Sequence, residues 1–482
     1  MSISSGFPKA LSYSIKQMAD NMTRIGCKIT PDRTTGIAPN DVITFKLPNN
    51  SLVDLRSLNF FYQFSTSGST GTFIHPRYSS SLIERISIVI NGQTVDITPG
   101  YNLLYNTLMD LEGSSFDQLS KRNICEFFDP SVRIAKESDP SSSADVALSG
   151  GTWLGTGVTA PSKIEGAITH WLGFLGSCVP GVIDTSMGDI FIQFQFASPY
   201  VLPANFNSTV LTLAGASFTL DNVYMTCDVI SFSTNVYYDA LASKLASGGL
   251  DIGFYSYLNA RFASFTKSSG CNVVWNITAN SLDQLIATFQ KTDATSKWDV
   301  MIAYGSQDDG STSKVFTMSQ IASSPTTYIG NTGAVTTRNV GLGDGFMNSY
   351  YFMRTGQALK EARWSINNRN LNYGFISPKE IFHQTMLSLG YNSLDLGMNG
   401  VNFCIFSLRH FLKYYYAHII DLTIQDSRDF WLSGLNSLGS TISVQYEANF
   451  DGSSNSQTAI PVLYARLSKV LNVKSGRQIS VI

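Results

Sequence analysis

The sequence predicts an all-β chain made of two tandem antiparallel sandwiches, joined by short helices and long loops. Three observations carry that expectation. The chain echoes itself in order, its apolar residues alternate with polar ones, and turn residues separate the alternating runs.

The echoes come first because they set the domain plan. Phe45-Lys-Leu-Pro-Asn-Asn50-Ser51-Leu52-Val-Asp-Leu55 returns as Trp275-Asn-Ile-Thr-Ala-Asn280-Ser281-Leu282-Asp-Gln-Leu285. Ile88-Val-Ile90-Asn91-Gly92-Gln93 returns as Trp364-Ser-Ile366-Asn367-Asn368-Arg369, and Gly188–Phe196 returns as Gly439–Ala448. The order is preserved at separations of roughly 230 to 275 residues, far beyond the 20 to 50 of solenoid repeats, so a whole domain is duplicated. A chain of 482 residues is also too long for one ordinary core.

Along the chain, Leu11, Ile15, Met18, Met22 and Ile25 recur at spacings of four and three, which predicts a short amphipathic helix in an N-terminal arm over residues 1–40. From Val42 the period becomes two. Ile43, Phe45 and Leu47 alternate with polar residues, as do Leu58, Phe60, Tyr62 and Phe64, so each run buries one face. Asn91-Gly92 between two such runs predicts a hairpin, because both residues tolerate positive φ. Leu104, Tyr105, Leu108 and Leu111 then share a helical face ending near Gly113. In the second half Ser377-Pro378-Lys-Glu380 supplies an N-cap, a first-turn proline and a capping-box glutamate for the matching helix. The boundaries expected are an arm over 1–40, a first sandwich over 41–235, a connector over 236–271 and a second sandwich over 272–482. Phe45 and Trp275 are expected as equivalent core positions.

The two halves differ in their insertions. Residues 138–163 and 306–345, rich in Ser, Thr and Gly, are long excursions of the kind that carry surface function.

Composition narrows function. Charged residues make up only 14% of the chain and its formal net charge is −2, which argues against a protein devoted to gripping phosphates. Cys27, Cys125, Cys178, Cys227, Cys271 and Cys404 lie far apart without a C-x-x-C pair, so no metal knuckle or disulfide framework is expected. The N-terminus has no signal-peptide pattern and no run of 18 apolar residues occurs, consistent with folding in a reducing compartment.

No catalytic motif stands out. Phosphate-loop and nucleophile-elbow patterns are missing, and Gly341-Leu-Gly343-Asp-Gly345 lacks dinucleotide-binding spacing. The five histidines, His75, His170, His383, His410 and His418, form no sequence cluster and are expected as satisfied or interfacial side chains. Asp308-Asp309 has too few oxygen ligands around it for calcium. Tyr414-Tyr415-Tyr416 cannot all face one core from a strand, so at least one is expected at an outer face or interface. No catalytic, cofactor or metal residue is therefore assigned, and the chain is not expected to be an enzyme.

The duplicated strand pair at Phe45–Leu55, the segment Leu82-Ile-Glu-Arg-Ile-Ser-Ile-Val-Ile-Asn-Gly92 with its following helix, and the closing strand Gly188–Phe196 resemble the double jelly-roll major capsid proteins of eukaryotic double-stranded DNA viruses, in particular the virophage and Polinton-like type. The resemblance spans about residues 40–482. It implies two eight-stranded jelly rolls per chain, homotrimers forming pseudo-hexagonal capsomers, and an icosahedral shell. It also implies outward towers at 138–163 and 306–345, and an N-terminal arm facing minor capsid and penton proteins or an internal membrane. The implied location is the virion, with synthesis inside the host cell and without sequence-specific nucleic-acid binding. The competing expectation is a lectin-like or carbohydrate-active surface protein, since jelly rolls serve there too.

Overall fold

The computed structural model describes residues 22–67, 75–76, 78–112, 164–202, 217–232, 236–247, 249–296, 300–302, 327–329, 335–337, 347–389, 408, 411–412, 415–423, 434–437, 441–452, 457–474 and 478–481. The first half contains β1 (Met22–Ile29), β2 (Val42–Lys46), β3 (Leu52–Ser67), β4 (Ile83–Ile90), β5 (Gln93–Pro99), α1 (Tyr101–Glu112), β6 (Ile164–Ile168), α2 (Phe174–Ser177), β7 (Val182–Asp184), β8 (Ile190–Phe196) and β9 (Ser217–Phe232). Helix α3 (Val236–Ser247) leads to the second half. There follow β10 (Leu250–Arg261), β11 (Phe265–Thr266), β12 (Cys271–Ile277), β13 (Leu282–Lys291), β14 (Val300–Ile302), β15 (Thr327–Ile329), β16 (Val335–Thr337), β17 (Met347–Ser349), β18 (Leu359–Ile366) and β19 (Arg369–Asn370). The chain closes with α4 (Pro378–Ser388), β20 (His418–Asp421), β21 (Ile442–Phe450), β22 (Thr458–Lys474) and β23 (Gln478–Val481).

Strand order repeats between the halves. One sheet of the first half runs β1-β9-β3-β6 and its partner β2-β8-β4-β5; the second half has β10-β22-β13-β20 and β12-β21-β18-β19. All of these ladders are antiparallel. Each half is thus two four-stranded layers with the same connections, the short strands β7, β11 and β23 being added to their margins.

The three sequence echoes occupy equivalent places. Asn-Ser-Leu turns lead into β3 and β13, the Ile-Asn hairpins join β4 to β5 and β18 to β19, and the third echo forms β8 and β21. Asn91 and Gly92 have φ of 52° and 76°, and Asn367 and Asn368 have 49° and 62°, as two-residue turns between right-twisted strands require. Phe45 lies opposite Ile192, and Trp275 lies opposite Val444, in keeping with the alignment of β8 on β21. The hairpins do not follow that alignment. Ile90 faces Ile190 whereas Ile366 faces Val444, a shift of two residues. An even shift leaves every side chain on its original face, so both cores survive it.

Alternation fills those cores. Ile190, Ile192, Phe194 and Phe196 of β8 are buried, as are Ile442, Val444, Tyr446 and Ala448 of β21. Phe60 from one layer meets Phe45 and Phe194 from the other edge-on at 5.9 and 5.4 Å. In the second half Phe289, Tyr446 and Trp364 take that place, with Phe289–Tyr446 at 6.0 Å and Trp364–Tyr446 at 4.5 Å. Helix α4 begins with the expected capping box between Ser377 and Glu380.

Three expectations are corrected. Met22 and Ile25 lie not on a helix but on β1, which pairs with β9 over Met22–Ile29, and residues 1–21 lie outside the described set. Residues 250–261, expected in the connector, form β10 and pair with β22 as β1 pairs with β9. In both cases the partner strand, not local spacing, sets the conformation. Trp275 faces the core like Phe45 but is only partly buried: β2 and β12 are both sheet edges, yet the inward row of β12 is only half covered.

Candidate functional site

The most elaborate buried chemistry lies along the seam between the two sandwiches. Strand β10 packs against β5 and α2, so the second half rests directly on the hairpin and helices of the first. Val179 N–H donates to Gly253 O at 2.8 Å and Gly253 N–H returns to Val179 O at 3.2 Å, a backbone bridge between the halves. Beside it Phe174 meets Phe254 edge-on at 4.9 Å, and the Ser177 hydroxyl accepts from Tyr255 N–H at 2.7 Å.

Carboxylates of the first half are placed to meet donors of the second. Asp96 on β5 accepts from the Ser256 hydroxyl at 2.6 Å, and burial pushes its carboxyl above the ordinary value. Gly173 has φ of 70° and a Cβ there would come within 3.0 Å of Thr98 Oγ1 and 3.3 Å of Asp96 Oδ2, so glycine lets the chain pass close to that carboxylate. Glu84 on β4 accepts from Asn102 Nδ2 at 2.8 Å; burial raises its pKa, and Asn102 and Arg261 counter part of the rise.

At the centre of the seam Asp110 of α1 and Arg354 of the second half form an ion pair at 2.8 Å with both side chains 0% exposed. Tyr78 donates to the other Asp110 oxygen at 3.0 Å, and Arg354 also donates to Phe352 O and lies 5.8 Å over the Tyr415 ring. Tyr464 OH donates to Gly100 O at 3.0 Å, and Ser349 donates to Tyr200 O at 3.0 Å. A pair buried on both sides must keep both partners, so these contacts hold the sandwiches in one relative position. No local pattern marks the ion pair, because its partners lie 244 residues apart.

No family model matches the sequence, and no curated protein does. Solved structures do match. A chain of the PBCV-1 virus capsid superimposes with a TM-score of 0.58 at 14% identity, covering 96% of this chain and 96% of that one. A chain of the Sputnik virophage superimposes with a TM-score of 0.51 at 9% identity, covering 100% of this chain and 89% of that one.

The chain is a double jelly roll. Within this double jelly roll two of the histidines are buried among hydrogen-bonding neighbours. His75 is buried, with Tyr62 OH at 2.7 Å and Pro76 O at 2.6 Å, and burial lowers its pKa to about 3. His418 is buried between Tyr446 OH at 3.3 Å and Gln384 Oε1 at 3.1 Å, and burial likewise lowers it to about 3. His170 packs against Tyr105, His383 is exposed on α4, and His410 lies outside the described residues. Among the described residues no group of three His, Cys, Asp or Glu side chains could hold a metal, and no helix is long and apolar enough to cross a membrane.

Two of the three consecutive tyrosines fall within the described residues. Tyr415 and Tyr416 are both fully buried, because Tyr415 follows a helical turn, its N–H bonding to Phe411 O at 3.0 Å, instead of standing in a strand. Tyr416 stacks on Phe289 at 5.2 Å while Tyr415 goes to the seam; Tyr414 lies outside the described residues. Asp308, Asp309, the Gly341–Gly345 loop and the two expected towers lie outside them too, apart from the self-paired hairpin β15–β16.

The double jelly roll also buries one unexpected cation. Lys267, 1% exposed, donates to Gln357 O at 2.8 Å and to Thr355 and Gln457 side chains at 3.3 Å. Burial, with the nearby charge of Lys291, pushes its pKa down to about 7.

Proposed function

We propose that this chain is a major capsid protein whose homotrimers form pseudo-hexagonal capsomers of an icosahedral shell. The observation that carries the reading is the repeated strand order, with two complete sandwiches fused across a buried seam, and it is supported by likeness over 96% of both chains to a PBCV-1 virus capsid protein. Closed threefold symmetry would place six similar sandwiches around one axis, giving a six-cornered tile from three chains. A surface poor in charge can be covered by neighbouring copies at little desolvation cost.

On this reading residues 138–163 and 306–345 form the outer end of the capsomer. Residues 1–21, which precede the edge strand β1, face minor capsid and penton proteins or an internal membrane. The protein resides in the virion after synthesis in a host cell, and it needs no catalytic residue, cofactor or sequence-specific nucleic-acid contact. Size-exclusion chromatography with light scattering tests the proposal. A stable mass three times that of the chain supports it, and a monomer that binds glycans overturns it.

A further inference from the structure

Among the described residues, strand β1 pairs with one neighbour, β9. Along that ladder Arg24 reaches across to Asp228 at 2.6 Å and Asp54 at 3.0 Å, and Lys28 lies 3.9 Å over the Tyr224 ring. Between these contacts Cys27 stands directly opposite Cys227. Both are free thiols; Cys27 is partly exposed and Cys227 is 1% exposed.

We propose that Cys27 and Cys227 form a cross-strand disulfide when the protein meets an oxidising environment, stapling the edge strand to its sheet. Directly opposite residues of an antiparallel pair have Cα atoms about 4.5 or 5.5 Å apart, and both spacings lie inside the range a disulfide spans. Their side chains leave the same face of the sheet, so each sulfur is turned toward the other. Burial, together with the neighbouring Cys27 and Asp228 groups, keeps the Cys227 thiol protonated, with its pKa raised to about 12.

Exposure sets the order of events. With a small-molecule disulfide such as oxidised glutathione, the accessible Cys27 loses its proton to solvent and its thiolate attacks one sulfur, releasing one small thiolate. The Cys227 thiol then gives up its proton and attacks the Cys27 sulfur of the mixed disulfide, expelling the second small thiolate. Two protein thiols are oxidised, one small disulfide is reduced to two thiols, and the released protons end on those thiolates or in solvent. The bond closes a loop of roughly 200 residues, long enough for a large effect on the unfolded chain. Strand β1 directly follows residues 1–21 in the chain, so the staple fixes the point at which they join it.

The test uses the full chain, reduced and then equilibrated with oxidised glutathione. The expected result is an intact mass lower by two hydrogens, a non-reducing digest containing one peptide pair joined through Cys27 and Cys227, and a melting temperature raised by about 5 to 10 °C. Cys27→Ser and Cys227→Ser variants should fold, and neither should show the shift. A stable glutathione adduct on Cys27 without the joined pair would overturn the proposal, as would joining to another cysteine or to a second chain, or a joined pair whose melting temperature does not rise.

Discussion

Arg354 and Asp110 meet at 2.8 Å with neither side chain exposed, and they belong to different sandwiches. The duplicated halves are therefore joined by chemistry that tolerates little change in their relative position. Removing one partner leaves a buried charge uncompensated. Asp110→Asn or Arg354→Met should each destabilise the chain by about 3–5 kcal/mol, while the paired change Asp110→Leu with Arg354→Met should be far milder. Denaturant unfolding of the three variants checks this; equal losses for single and double variants would contradict the account.

Phe45 and Trp275 occupy matching places in the two halves but different degrees of burial. Phe45→Ala should cost about 3–5 kcal/mol, because it empties the contact with Phe60 and Phe194. Trp275→Ala should cost less, about 1–2 kcal/mol, since part of that ring is already in water. Calorimetric comparison of the two variants decides the order.

Acid should act through His75 and His418. Both are held neutral in the folded chain with pKa values of about 3, below the unfolded value near 6.5. The unfolded state then binds the extra proton first, so stability is intact above about pH 6.5 and is lost as pH falls towards 3. Glu84, Asp96 and Asp283, raised by burial, work the other way and gain stability on acidification. The histidine contribution is isolated by difference. The stability gap between the wild type and His418→Gln should narrow by up to about 2 kcal/mol between pH 7 and pH 5. A gap independent of pH would show that His418 is not held neutral.

The excursion between β14 and β17 is pinned at its base by the ladder Val300–Ile302 with Met347–Ser349, and among the described residues β15 and β16 pair only with each other. Deleting residues 311–341 should leave the sandwich cores folded, with an unchanged melting temperature within a few degrees and an altered outer surface. Thermal unfolding with antibody or protease mapping of that surface reads both effects.

What the sequence revealed and what it hid divide along sequence distance. The Asn91-Gly92 hairpin, the alternation in β8 and the capping box at Ser377 are local patterns, and each formed the element its neighbours dictate. Duplication was readable because three short patterns recur in order. The seam was not, since Asp110 and Arg354 carry no mark of each other across 244 residues. Met22 and Ile25 misled for a related reason. Their helical spacing is a property of the segment, whereas their strand conformation is imposed by β9 from more than 200 residues away. Tyr415 and Tyr416 are both buried, and the bond from Tyr415 N–H to Phe411 O that places Tyr415 has no local strand signature.

On the proposed function, duplication within one chain makes a six-cornered tile from three copies. Negative-stain imaging of the purified protein tests it most directly. Class averages with a hexagonal outline and threefold symmetry are the predicted result, and isolated two-lobed particles at every protein concentration would contradict it.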